Sequence, residues 1–227
     1  MTGGPSQSLQ YRGKKQSVLV GGKRCCLLPV FERWFVQPDF DPGGIESASN
    51  PPSQQGSLHE TRVGTGMPRC LLGFGANLGD RRKTLECAVD VLRGLENVKV
   101  VAVSSWHRSQ PVGGPSGQGE FLNGAVVVET TLDPHALLLV AGQIEDQFDR
   151  KRGVRWAART LDIDLLLYDE QIIRTPSLEV PHPRMHLRQF VLGPAAEVVP
   201  DWVHPQLNQT VSQLCQQLDL MEPTVVE

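Results

Sequence analysis

Leu161-Asp162-Ile163-Asp164-Leu165-Leu166-Leu167-Tyr168 alternates apolar and acidic residues over its first five positions and then stays apolar. Such a stretch is a β-strand. Successive side chains leave a strand on opposite faces, so Leu161, Ile163, Leu165 and Leu167 share one face and should pack on helices. Asp162 and Asp164 then point together from the other face, roughly 7 Å apart at their Cα atoms. Two carboxylates side by side on a leucine-rich strand repel each other unless something positive lies between them. Mg²⁺ suits the pair, because one or two carboxylates hold this hard cation while substrate phosphates complete its shell. Two such ions about 4 Å apart would clamp a transferring phosphoryl group.

Immediately upstream, Arg150, Lys151, Arg152, Arg155 and Arg159 put five positive charges into ten residues. Guanidinium groups match phosphate oxygens bidentately, so a loop of this kind suits a nucleoside triphosphate. Trp156 lies among these arginines and could cover a bound base or phosphate chain. Taken alone, such an acidic pair is more often a solvated sheet face, and such a basic run most often a solvated face or an ion-pair partner. Joined through one strand, they favour phosphate chemistry.

Working outward, residues 68–75 read as a strand that runs into the turn Gly75-Ala76-Asn77-Leu78-Gly79. Asp80 is placed to cap a helix over 81–95, with Leu85, Ala88, Val89, Leu92 and Leu95 on one face. Val98 to Trp106 is β-branched and reads as a second strand, and a loop dense in Gly and Pro follows over 110–119. Phe121 to Thr130 is a third strand. Asp133-Pro134 opens a second helix running to about Phe148, with Asp at the cap and Pro in the first turn. Beyond Tyr168, short extended pieces alternate with helical stretches near 187–198 and 209–219. The order strand, helix, strand, strand, helix, strand predicts a ferredoxin-like βαββαβ sandwich, an α+β fold whose antiparallel sheet carries both helices on one face. That architecture hosts many chemistries, so function rests on the site.

The segment Arg155 to Leu166 resembles the motif of the 6-hydroxymethyl-7,8-dihydropterin pyrophosphokinases of folate synthesis: basic, any, small, small, Arg, two more, Asp, aliphatic, Asp, two aliphatics. Further stretches are similar to that family in the same order. They are Leu72 to Gly79, Ser104 to Gly113, Phe121-Leu122-Asn123, Ile144-Glu145, Val180 to Met185, and Arg188-Gln189-Phe190. The resemblance implies transfer of pyrophosphate from ATP to the hydroxymethyl oxygen of the reduced pterin, with release of AMP. It implies two Mg²⁺ ions on Asp162 and Asp164, and places Arg150, Arg152, Arg159, Arg188 and His182 around the triphosphate. Glu145 and Trp156 would lie near the nucleotide. Phe121 and Phe190 would sandwich the pterin, while Asn123 and the segment Ser109, Pro111, Val112 and Gly113 read its edge. Several positions depart from the pattern: Ala76 for Ser, Phe121 for Tyr, His107 for Tyr, Gly142 for Gln, Asp149 for Gly and Ser177 for a basic residue. Changed ATP affinity is the expected result, since both aspartates and Arg159 are intact.

The 227-residue chain carries 22 basic and 25 acidic residues, a net charge of -3, which disfavours binding nucleic acid by bulk charge. A ferredoxin-like nucleic-acid module would also present strand aromatics for stacking, and only 6% of residues are aromatic. A metal-dependent nucleotidyl transferase could use the same acidic pair but would release pyrophosphate. No apolar stretch is long enough to span a membrane and no signal peptide is evident. Five cysteines without C-x-x-C spacing suit a reduced, cytoplasmic setting. A monomer is expected.

Residues 1–66 differ from the rest, holding 10 of the 22 glycines and 6 of the 17 prolines. Such composition predicts a largely disordered leader. Met67 stands directly before the first strand of the catalytic domain, 67–227, and is a candidate initiator, so 1–66 is read as a leader or a mis-assigned start.

Overall fold

The structure is a computed structural model that describes residues 66–111, 117–148 and 159–221, with the backbone of 16–20 and 23–27. Contacts divide the chain into two units, Met1–Thr65 and Gly66–Glu227. In the first, β1 (Gln16–Val20) and β2 (Lys23–Leu27) pair antiparallel, Val20 opposite Lys23. The strands thus lie within the segment expected to be a disordered leader; the remainder of that segment is outside the described residues.

The second unit is built on β3 (Arg69–Ala76), β4 (Val98–Val103), β5 (His107–Ser109), β6 (Phe121–Thr130) and β7 (Asp162–Tyr168). The sheet order is β4-β6-β3-β7, with β5 also on β6, and every pairing is antiparallel. Helices α1 (Arg81–Arg93) and α2 (Pro134–Gln147) follow β3 and β6, completing the ferredoxin-like order. Both helices start where a carboxylate satisfies orphan amides: Asp80 accepts from Lys83 N, and Asp133 from His135 N and Ala136 N. The expected second strand, Val98 to Trp106, is shorter than expected and a further strand follows it. β4 ends at Val103, and Ser104 holds β6 through its backbone amide and its Oγ, both bonded to Ala125, before β5 resumes at His107.

The sheet is buried on both faces. Register sets Leu72, Val126 and Leu165 side by side, with Phe74 beside Ile163, on the face that α1 and α2 cover. On the other face Leu71, Ala125 and Val127 meet two further helices, α3 (Gln189–Val198) and α4 (Val211–Met221), through Met185, Leu192, Ala195, Val199, Val211 and Leu214. Each fully buried Leu contributes about 1.5–3 kcal/mol of apolar transfer. Two pairs of short strands complete the unit: β8 (Ile173–Arg174) with β9 (Glu179–Val180), and β10 (Val203–His204) with β11 (Gln209–Thr210).

One expectation for β7 is corrected. Leu72 opposes Leu165, yet Leu71 opposes Leu167, so Leu166 is an extra residue in the ladder. This bulge turns Leu167 away from Ile163 and Leu165 and into the core beneath α3 and α4. Strict alternation along the strand therefore fails after Leu165.

Candidate active site

At the β7 end of the sheet, Asp164 lies opposite Gly73 and Asp162 opposite Gly75, all facing a cleft of about 420 Å³. The glycines keep its floor low. A Cβ on Gly75 would lie 3.2 Å from Asn123 Oδ1 and 4.0 Å from Asp162 Cβ, filling the space beside the carboxylate. Burial and the neighbouring Asp162 push the Asp164 carboxyl up to about 6, while Arg188 opposes them. The arrangement penalises two negative charges without a cation. Oxygen donors of this type fit Mg²⁺, and among the described residues no third His, Cys, Asp or Glu joins them in a metal cluster. Waters and phosphate oxygens would have to complete the shell.

Cations surround the pair. The Arg159 guanidinium donates to Asp162 Oδ2 at 2.7 Å. Arg184 and Arg188 line the same cleft, and burial together with Arg184 lowers the Arg188 pKa. His182 is also there, but burial, then Arg188 and Arg184, depress its pKa to about 4. The imidazole is therefore neutral near pH 7 in the ligand-free protein. Its Nδ1 accepts from Arg184 N at 3.2 Å, so Nε2 carries the proton and can donate to an anion.

At the other end of the cleft stand Phe121, Asn123 and Ser109, with Phe190 from α3. Asn123 is 6% exposed and donates through Nδ2 to Ser109 Oγ at 2.8 Å, which orients its remaining amide oxygen. The Arg188 guanidinium lies 5.6 Å from the Phe190 ring centroid, joining the aromatic end to the charged end. A second cavity of about 320 Å³, between Leu138 and the segment Thr175–Glu179, shares Asp164 and His182 with the first as walls.

Nine expected site residues thus line one cleft: Ser109, Phe121, Asn123, Arg159, Asp162, Asp164, His182, Arg188 and Phe190. Pro111 is described but is not among its walls. Glu145 is 4% exposed, also outside the walls, and its Oε1 accepts from Ile163 N at 2.7 Å. That places it behind the aspartate strand. Arg150, Arg152, Trp156, Val112 and Gly113 fall outside the described residues, as does Asp149.

Sequence reasoning missed Gln118, Arg184 and Asn77. Gln118 and Arg184 line the cleft. Asn77, 7% exposed, accepts from Arg159 N at 2.7 Å through Oδ1, and its own backbone N donates to Arg159 O at 3.1 Å. Its place in the turn after the first strand marked it as a turn former and gave no hint of the long-range partner.

A ferredoxin-like sheet presenting paired carboxylates, arginines and an aromatic end in one cleft defines a phosphoryl-transfer enzyme. The family model for 7,8-dihydro-6-hydroxymethylpterin-pyrophosphokinase matches residues 71–200. The chain belongs to that family. It is similar to the 2-amino-4-hydroxy-6-hydroxymethyldihydropteridine pyrophosphokinases of Synechocystis sp., 39% identical over 66% of this chain and 75% of that one, and of Bacillus subtilis, 46% identical over 56% and 75%. Among solved structures, a chain described as HPPK-DHPS in complex with substrates superposes with a TM-score of 0.54 at 14% identity. The match covers 71% of this chain and 45% of that one, so the likeness concerns the fold and spans under half of the solved chain.

Proposed function

We propose that the cleft binds ATP and 6-hydroxymethyl-7,8-dihydropterin together and transfers pyrophosphate to the pterin, the activity of the family. The observation carrying this reading is that two cavities share Asp164 and His182 as walls. One cavity has an aromatic end for a flat heterocycle, and the other extends from Asp164 and His182 to Leu138 and the Thr175–Glu179 segment. The reacting phosphates would lie beside the two shared residues.

In the transfer, the hydroxymethyl oxygen attacks the β-phosphorus, the bond from that phosphorus to the α–β bridging oxygen breaks, and AMP leaves as the hydroxyl loses its proton. Phosphoryl transfer needs positioning and charge stabilisation more than covalent help. Asp162 and Asp164 would hold two Mg²⁺ ions. Mg²⁺ held there would supply Lewis-acid neutralisation of the phosphate charge. Arg159, Arg184 and Arg188 orient the phosphates, joined by Arg150 and Arg152, with Trp156 over the nucleotide. His182 donates from neutral Nε2–H. Phe121 and Phe190 hold the pterin faces, and Asn123, set by Ser109, reads its edge with the backbone of Pro111, Val112 and Gly113. Glu145 serves the site by fixing β7.

Residues 67–227 form the catalytic domain in this reading, acting as a cytoplasmic monomer that needs neither nucleic acid nor membrane. Among the described residues no helix is long and apolar enough to cross a membrane. Incubation with ATP, Mg²⁺ and the dihydropterin should release AMP only when the pterin is present. Folded protein that releases none, or releases pyrophosphate in its place, would overturn the reading.

A further inference from the structure

Outside the cleft walls, Glu197 in the last turn of α3 meets Ser105, between β4 and β5, and His107, which begins β5. Its Oε2 accepts the Ser105 N–H at 2.8 Å, and its Oε1 accepts from Ser105 Oγ at 2.7 Å and from His107 Nε2 at 2.5 Å. Ser105 Oγ and the carboxylate both sit at Nε2, so the trio lacks the order of nucleophile, base and orienting acid that a covalent mechanism needs. It is a clamp between a helix and a strand. On the other side of the imidazole, a Cβ on Gly193 of α3 would lie 3.8 Å from Nδ1, so the ring rests against the helix there. Phe190 precedes Gly193 by three residues, on the same side of α3, and walls the aromatic end of the cleft. Along β5 the register continues to Ser109 opposite Phe121, and Ser109 Oγ accepts from Asn123.

We infer, on the substrate assignment proposed above, that Glu197 is a positioning residue for the pterin. By gripping Ser105 and His107 it fixes where α3 stands along β5, and with it the gap between the Phe190 ring and the wall of Ser109, Phe121 and Asn123. The core beneath α3 is apolar, built on Leu192 and Ala195. Apolar burial is non-directional, so it holds the helix on the sheet without fixing its place along it. Hydrogen bonds to a charged acceptor are directional and comparatively strong, and they supply that constraint. A Phe ring has few torsions and follows its helix, whereas Arg188, ahead of the helix, reaches the cleft through a long flexible stem. The His107 and Glu197 side chains are 36% and 39% exposed, so water takes over the lost bonds and variants keep the fold.

Steady-state AMP release, measured against the dihydropterin at saturating ATP and against ATP at saturating dihydropterin, gives a KM for each substrate. Glu197→Ala should raise the dihydropterin KM on the order of tenfold, the effect of a small misplacement. Both kcat and the ATP KM should stay within about twofold of the intact protein, the pattern of lost ground-state binding. Glu197→Gln, which keeps one acceptor oxygen, should recover part of the loss. His107→Ala should raise the same KM, and the double variant should raise it no further than Glu197→Ala, because both changes open one clamp. His107→Ala keeps the test decisive if Glu197→Ala fails to fold. An unchanged dihydropterin KM in either folded single variant, equal rises in both KM values, or effects that multiply in the double variant would each overturn the inference. Intact protein without pterin-dependent AMP release would overturn the substrate assignment and the inference with it, a failure visible before any variant is made.

Discussion

Glu145, on α2, accepts the backbone N–H of Ile163 at 2.7 Å, and Ile163 is the residue between the two aspartates. The bond fixes the strand at the point where the direction of the two carboxylates is decided. Removing the acceptor leaves a buried amide unpaired, a cost of about 1–3 kcal/mol. Glu145→Ala should lower stability by that amount in a denaturant melt and weaken Mg²⁺ binding. Glu145→Gln, which keeps a carbonyl acceptor, should recover most of the loss. Equal behaviour of the two variants would show that the bond is immaterial.

Asp162→Asn and Asp164→Asn are expected to reduce turnover by a factor on the order of 10² to 10³ or more, the scale of removing one preorganised electrostatic group. Asp164→Asn should also raise the melting temperature of the ligand-free protein, since it removes a charge that burial and Asp162 disfavour. A steady-state AMP assay and a thermal melt read the two effects separately.

The Asp164 carboxyl, at about 6, sits above the ordinary value near 3.9. As pH rises, the unfolded chain gives up this proton first, so the ligand-free protein loses stability from about pH 4 to about pH 6 through this group. Mg²⁺ requires the ionised form, and its affinity should fall as pH drops below about 6. Melting curves across this range with and without Mg²⁺ should therefore diverge as pH increases. Parallel curves would count against Asp164 as a ligand.

His204 is 2% exposed, and burial followed by the nearby His186 lowers its pKa. Their rings meet edge to face, centroids 5.9 Å apart. The unfolded chain takes up protons near pH 6.5 before the folded His204 does, so acid removes stability below that value. His204→Asn should flatten the dependence, measurable as a smaller fall in urea midpoint between neutral and mildly acid pH.

Gly124 lies under the Trp106 indole, and a Cβ there would overlap the ring well inside van der Waals contact. Gly124→Ala should cost about 1–3 kcal/mol, the usual range for overpacking. Urea unfolding monitored by tryptophan fluorescence would report both the loss and any displacement of the ring.

How much of this was legible depended on range. The strand Asp162–Tyr168, the two Asp-capped helices and the shared face of Asp162 and Asp164 follow from local periodicity and capping chemistry, which act within a few residues. The bulge at Leu166 does not, because it is set by how β7 must sit against both cores at once. The neutrality of His182 comes from burial beside Arg184 and Arg188, a tertiary environment that a loop histidine between two prolines does not announce. Asn77 binds a residue 82 positions away, and no local pattern carries that information. Glu145 was marked by family likeness as a nucleotide neighbour, whereas its depth gives its carboxylate to the strand.

β7 ends the sheet, with β3 on one side and, among the described residues, no further strand on the other. Its sequence, acidic for two residues and then Leu-Leu-Leu-Tyr, would make an open template for another chain. Two of its backbone groups are instead occupied from outside the sheet, Ile163 N by Glu145 and the Leu166 carbonyl by His182 N at 2.9 Å. Glu145 and His182 thereby occupy part of a strand edge that would otherwise be open to intermolecular pairing. The bonds that hold the aspartate strand in place also limit its capacity to add a foreign strand.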